Sequence, residues 1–319
     1  MRTLALFCAF LAAVSAVPLQ GFNGPHVEKI FSEAAKFPLD PEEFFANLER
    51  VNKTELVYGG KKAVAGQFPQ HAYMLFNTAD GFMICGASLL STTHALTAAH
   101  CVDGMMAPAH IMAGGLEIRD RNAPNAQWRS IHRAVVHSGY TSRPIRNDIA
   151  IVEFNPPMTL NRDTQLTKIV DDDSLLLKNN DSYVTGFGTY TYKGKQAITS
   201  DDLLWAEVEL FDFPRCQQLW NRRLWQKQIC AGSKGLGAGP GDSGGPLQVL
   251  HNGQLFQVGL TSFGTTDIYN DEFNQDKFPT VFTRVSSYCD FIAMGTGDSV
   301  KCSSLTQASR PTQNPDCRP

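Results

Sequence analysis

Residues 239–247 read "GPGDSGGPL", a single serine set among four glycines and two prolines. Gly, Pro, Asp and Ser are turn formers, so the plain reading of this stretch is a surface turn. The chemical reading is that glycines let main-chain N–H groups approach a reacting carbonyl, an approach that a Cβ would block. Two segments upstream bear on the choice. "LTAAHC" (96–101) carries His100 and "RNDIAIVEF" (146–154) carries Asp148 among apolar neighbours. A serine hydroxyl is a poor nucleophile at neutral pH and needs a base to take its proton, which an imidazole can do.

The texture around these segments is that of a β protein. From Val57 onward, short apolar or β-branched runs such as "HAYMLF", "HALTAA", "DIAIVEF", "SYVTGFG", "FQVGLTSFG" and "TVFTRV" alternate with Gly, Pro and Asn. Regular short strands with turn signals predict an all-β sandwich or barrel. The stretch 155–174 is poor in strand signals and marks the boundary between two halves, and "SSYCDFIAMG" predicts a short helix near the end. Residues 298–319 are polar and contain proline, as an irregular tail would. Before the β region, residues 17–56 are a mixed charged and aromatic stretch in which Phe44, Phe45 and Leu48 fall at helical spacing.

With 319 residues, 43% hydrophobic and 18% charged, the chain has the composition of a globular protein. A formal charge of −3 and the lack of a Lys/Arg cluster exclude a nucleic-acid footprint. Arg2, the apolar run Leu4–Val14 and the small residues Val14 and Ala16 predict a secretory signal over 1–16, cleaved after Ala16. The apolar run is too short to span a bilayer, so no membrane partner is expected. The rest should meet an oxidising compartment. There are eight cysteines, and Cys8 would leave with the signal, so an odd number remains. Asn52 ("NKT") and Asn180 ("NDS") are glycosylation sequons. No His/Cys spacing suggests a metal site, and no cofactor is expected.

In order, "LTAAHC", "RNDIAIVEF" and "GPGDSGGPL" resemble the signatures of the chymotrypsin family of serine endopeptidases, and the resemblance runs from Val57 to Gly297. It implies two antiparallel six-stranded β-barrels with the site in the cleft between them. By that resemblance, Ser243 is the nucleophile, His100 its base and Asp148 the group that orients the imidazole. Gly241 and Ser243 would supply the oxyanion hole from their N–H groups. Cys85–Cys101 and Cys216–Cys230 match two family disulfides. Of the remaining cysteines, Cys302–Cys317 is the expected bond with Cys289 unpaired, and Cys289–Cys302 is the other pairing.

The family is made as inactive precursors, which assigns 17–56 as a propeptide. "VYGG" (57–60) takes the place of the new N-terminus, released by a cut between Leu56 and Val57, and the Val57 ammonium would pair with Asp242. Leu56 favours a chymotrypsin-like activator or self-processing. Residues 17–56 hold no cysteine, so no covalent tether would keep them after the cut. The pocket floor falls on Gly237, where trypsin-like members carry Asp, and the walls on Gly264 and Thr280; Ser262 would bind substrate backbone. An uncharged floor and an open Gly264 favour large apolar side chains, while the bulk of Thr280 suggests elastase-like preference as the runner-up. Gly239 stands where most relatives have a cysteine. The loop "TTDIYNDEFNQDKFP" (265–279) is long and acidic, reading as a solvated surface loop from which Asp267, Asp271, Glu272 or Asp276 could reach substrate. The expected partners are protein or peptide substrates, an activating protease and protein inhibitors, for a secreted monomer. The competing class is a catalytically silent homologue that only binds, but no triad member is missing.

Overall fold

A computed structural model of the chain describes residues 26–31, 58–120, 122–123, 125–178, 181–221 and 223–305. The expected signal, the helical pattern at 44–48, Asn52, Val57, Asn180 and Cys317 lie outside these residues.

The first half is built from β1 (His26–Ile30), β3 (His71–Thr78), β4 (Gly81–Leu89), β5 (His94–Thr97), β6 (Met106–Ala113), β7 (Gln127–His137) and β10 (Ala150–Asn155). The ladder runs β1-β7-β10-β5-β4-β3-β6, and a further β6–β7 pairing closes it into a six-stranded barrel with β1 attached outside. The short β2 (Lys61–Lys62) joins the other half, and β8 (Thr141–Ser142) and β9 (Ile145–Arg146) form a hairpin before Asp148.

The second half contains β11 (Ser182–Gly186), β14 (Leu204–Val208), β15 (Leu210–Phe211), β16 (Gln228–Ala231), β17 (Pro246–His251), β18 (Gln254–Phe263) and β19 (Thr280–Arg284). They curl into one sheet in the order β15-β16-β19-β18-β17-β11-β14-β2. A separate hairpin is made by β12 (Thr189–Lys193) and β13 (Gln196–Thr199). Among the described residues no strand lies between Pro156 and Asp181, so the expected boundary is a connection running over both halves.

Strand β3 shows how the halves are joined. Its first six residues are all buried, the mark of a strand covered on both faces. Ala72, Met74 and Phe76 point into the barrel core. Tyr73 and Leu75 point the other way, onto a cluster completed by Phe187 and Leu203 of the second half. A second junction packs Phe291 and Ile292, on the short C-terminal helix Cys289–Gly295, against Leu96, Val135 and Ile151 of the barrel.

Cys85–Cys101 and Cys216–Cys230 are bonded, as the resemblance implied. The third bond corrects the sequence expectation: Cys289 pairs with Cys302, not Cys302 with Cys317. After the helix the chain reverses through Gly297 and Asp298, both at positive φ. Ser303 N–H then bonds Ile169 O at 3.1 Å. That return brings the Cys302 Cα to 5.6 Å from the Cys289 Cα, inside bonding range.

Candidate active site

His100 lies on the short helix α1 (Ala99–Asp103), directly after β5. Its neighbour Cys101 is bonded to Cys85 on β4, which fixes the helix to the barrel wall. Asp148 sits just before β10 and is 1% exposed. Its Oδ1 accepts the His100 backbone N–H at 2.9 Å, and its Oδ2 lies 2.8 Å from His100 Nδ1. Ser262 Oγ donates to the same Oδ2 at 2.5 Å. Thr283 Oγ1 donates to the Asp148 carbonyl at 2.8 Å, tying this loop of the first half to β19 of the second. Burial disfavours a charged imidazole at His100, but the Asp148 carboxylate and its hydrogen bond outweigh it and hold the pKa above its ordinary value.

Ser243 approaches from the other half. Its carbonyl accepts the Gly86 N–H of β4 at 2.8 Å and lies 3.5 Å from the Sγ of Cys101, the residue next to His100. The glycines permit this contact: a Cβ on Gly86 would stand 2.6 Å from Gly245 Cα. Gly241 has φ +98°, a conformation that disfavours side chains. Among the described residues, no group accepts a hydrogen bond from the N–H of Gly241 or of Ser243. Two free donors on one short loop, flanking Asp242, can stabilise an oxyanion.

Asp242, between them, is buried, and its carboxylate accepts Gly188 N–H at 2.7 Å and Gly239 N–H at 2.9 Å. No cation pairs with it among the described residues, and burial pushes its pKa up to about 7 against these two bonds.

The three expected pocket residues are each approached by a side chain of the 265–279 loop. Gln275 is fully buried, and its side chain lies on the floor: a Cβ on Gly237 would meet Gln275 Oε1 at 1.9 Å. Oε1 accepts from Thr280 Oγ1 at 2.9 Å, while Nε2 donates to Ala238 O at 2.8 Å and Asp271 O at 3.0 Å. Asp271 Oδ1 would stand 2.9 Å from a Cβ on Gly264. The loop expected to be solvated keeps Tyr269 and Phe273 exposed but turns Asp271 and Gln275 inward through helix α2 (Ile268–Phe273), started by the Asp267 side chain, which accepts from Asn270 N–H at 3.1 Å. Asp271 is buried, and burial raises its pKa to about 6 although a hydrogen bond from Tyr58 opposes the shift. Of the other acidic candidates, Glu272 accepts from Thr191 Oγ1 at 2.8 Å.

Tyr58 and Gln275 are the residues that sequence reasoning passed over. Tyr58 OH donates to Asp271 Oδ2 at 2.8 Å, and its ring lies 3.1 Å from where a Cβ on Gly239 would be. The signal was the coincidence of a tyrosine at 58 with the missing cysteine at 239, since the ring occupies the space beside that position. Among the described residues no group of His, Cys, Asp and Glu could hold a metal ion.

Comparison with known proteins places these features in context. The Trypsin family model matches residues 57–292. The chain is 32% identical over 242 residues to chymotrypsin-like elastase family member 1 of Bos taurus, covering 74% of this chain and 88% of that protein. It is 32% identical over 246 residues to chymotrypsin-C of Mus musculus, covering 76% and 89%. The human chymotrypsin-like elastase family member 1 is 31% identical over 242 residues, covering 74% and 90%.

Proposed function

The chain belongs to the trypsin family of serine endopeptidases, and from that premise we propose that it is a secreted enzyme, made as a precursor, that cuts peptide bonds through an acyl-enzyme on Ser243. His100 takes the Ser243 proton as the hydroxyl attacks the carbonyl, then gives it to the leaving amine. Asp148 holds the imidazole in the tautomer with Nδ1–H and stabilises its charged form. The N–H groups of Gly241 and Ser243 receive the oxyanion. Water then repeats the sequence on the ester. The observation that carries this reading is the doubly bonded Asp148–His100 pair beside a loop whose two N–H groups are unused. Cleavage at Leu56–Val57 gives the ammonium that pairs with Asp242.

Gln275 bears on the two sequence readings of substrate preference. An amide lying on Gly237, with both N–H groups and its oxygen already bonded, would make the pocket shallow. This supports the elastase-like reading, with small uncharged side chains before the cut bond, over the one for large apolar side chains. Two of the relatives are named elastases.

A fluorophosphonate probe tests the enzyme reading, because it labels an activated serine without regard to the pocket. The processed protein should label with one equivalent per chain, and Ser243→Ala should not label at all. Equal failure of both would leave a silent binding homologue.

A further inference from the structure

The strand β1 lies within the segment 17–56, which sequence reasoning left without a tether. It pairs antiparallel with β7 in the register His26↔His137 to Ile30↔Arg133. β7 pairs with β6 only through Gln127–Ser130. Beyond that point the same edge would carry unpaired backbone groups, and β1 covers them. Phe31 N–H donates to His132 O at 2.9 Å, so by the alternation of antiparallel ladders Lys29 and Val27 also present their N–H groups to β7.

Side chains add to the ladder. Glu28 Oε1 meets Arg133 Nη2 at 2.7 Å, and Arg133 Nη1 meets Glu153 Oε2 of β10 at 2.7 Å, a charge row across three strands. Lys29 Nζ donates to Val102 O at 3.0 Å and to Asp103 O at 2.5 Å, the last carbonyls of the helix that carries His100. Phe31 packs against the barrel core. Val27 and Ile30 are 39% and 79% exposed, so backbone pairing, charge and one aromatic ring provide the hold.

We infer that residues 26–31 are a strand-addition clamp that keeps the propeptide on the barrel, without a covalent bond, after the chain is cut at Leu56–Val57. The inference rests on the proposed processing for its second half only, since the cut breaks none of these contacts. An extended segment added to a free sheet edge gains main-chain hydrogen bonds as its affinity and pendant side chains as its specificity. The occupant is this chain's own segment.

The test uses the full chain. In the uncut protein, hydrogen exchange followed by mass spectrometry should show the amides of 26–31 and 132–137 protected together. Val27→Pro, which deletes a ladder donor on an exposed position, should speed exchange in both segments by about tenfold or more. The double variant Glu28→Ala with Lys29→Ala should do so more weakly. After processing, with the new N-terminus read by sequencing, the wild-type propeptide should co-elute with the catalytic chain on gel filtration at about ten micromolar, and the Val27→Pro propeptide should not. Unprotected amides in the uncut wild type, or a wild-type propeptide that elutes free once Val57 is the N-terminus, would overturn the clamp. An N-terminus other than Val57 would instead overturn the processing site, and the exchange pattern would still decide the docking.

Discussion

At His100 burial and a carboxylate act in opposite senses on one imidazole, and the carboxylate wins. Only neutral His100 can accept the Ser243 proton, so activity rises with pH through a pKa that lies above 6.5 in the free enzyme. Asp148→Asn removes the opposing charge and leaves burial, so the acid limb of kcat/KM should move below 6.5. The alkaline plateau should fall by about 10⁴-fold, the size of this effect in the family's template mechanism. A limb that stays in place would show that Asp148 does not govern the base. Gln275 acts at the same scale on specificity. Gln275→Gly should raise the ratio of kcat/KM for Phe over Ala esters by about tenfold or more, with active sites counted by fluorophosphonate labelling. A wild-type enzyme that prefers Lys esters would point to Asp271 as the determinant and defeat this assignment.

The loop between Gly264 and Thr280 is held by Tyr58, close to the proposed cleavage site, where the missing cysteine at 239 would have offered a disulfide. The Tyr58 hydroxyl bonds Asp271, and its ring stacks on Tyr192 at 6.5 Å between centroids. Tyr58→Phe strands a buried carboxyl oxygen, which costs about 1–3 kcal/mol. Urea unfolding of the processed protein should show the loss, together with a weaker preference among small side chains as α2 loosens; unchanged stability would mean that the loop stands without this bond. The strands were legible because alternation and turn residues are local signals. β3, β5, β10, β11, β18 and β19 each fall on an apolar run that the sequence displays. The triad segments were legible because their chemistry is confined to short motifs. Four features were not: the inward turn of Asp271 and Gln275, the Tyr58–Asp271 bond, the return of Cys302 to Cys289, and the β1 strand. Three of them join residues far apart in sequence or depend on a partner edge; Cys289 and Cys302 are only 13 positions apart, and the sequence offered two pairings for Cys302 with nothing local to choose between them. Asp271 reads as a solvated acid until a tyrosine 213 positions away is known to lie on it.

Across the whole molecule, the two halves meet on β3, on the C-terminal helix and on the Gly86–Ser243 contact, so the proposed new N-terminus, by pairing with Asp242, would reach the catalytic loop. In the uncut chain Val57 has no ammonium to offer. Asp242 then keeps a pKa near 7 against 3.8 for the free side chain, so folding takes up a proton between those values. Its contribution to stability is full below pH 3.8 and is lost as pH rises through about 7. The precursor should therefore lose stability from pH 4 to 7 relative to Asp242→Asn, by an amount on the order of a few kcal/mol. Once the Val57 ammonium pairs with the carboxylate, the pKa falls and the sign reverses: the pair stabilises at neutral pH and is lost on acidification. Thermal unfolding of the precursor and the processed protein across pH 4–8, each compared with its Asp242→Asn counterpart, should give slopes of opposite sign. Parallel slopes in both forms would mean that cleavage does not change the charge environment of Asp242, and the activation ion pair would have to be abandoned.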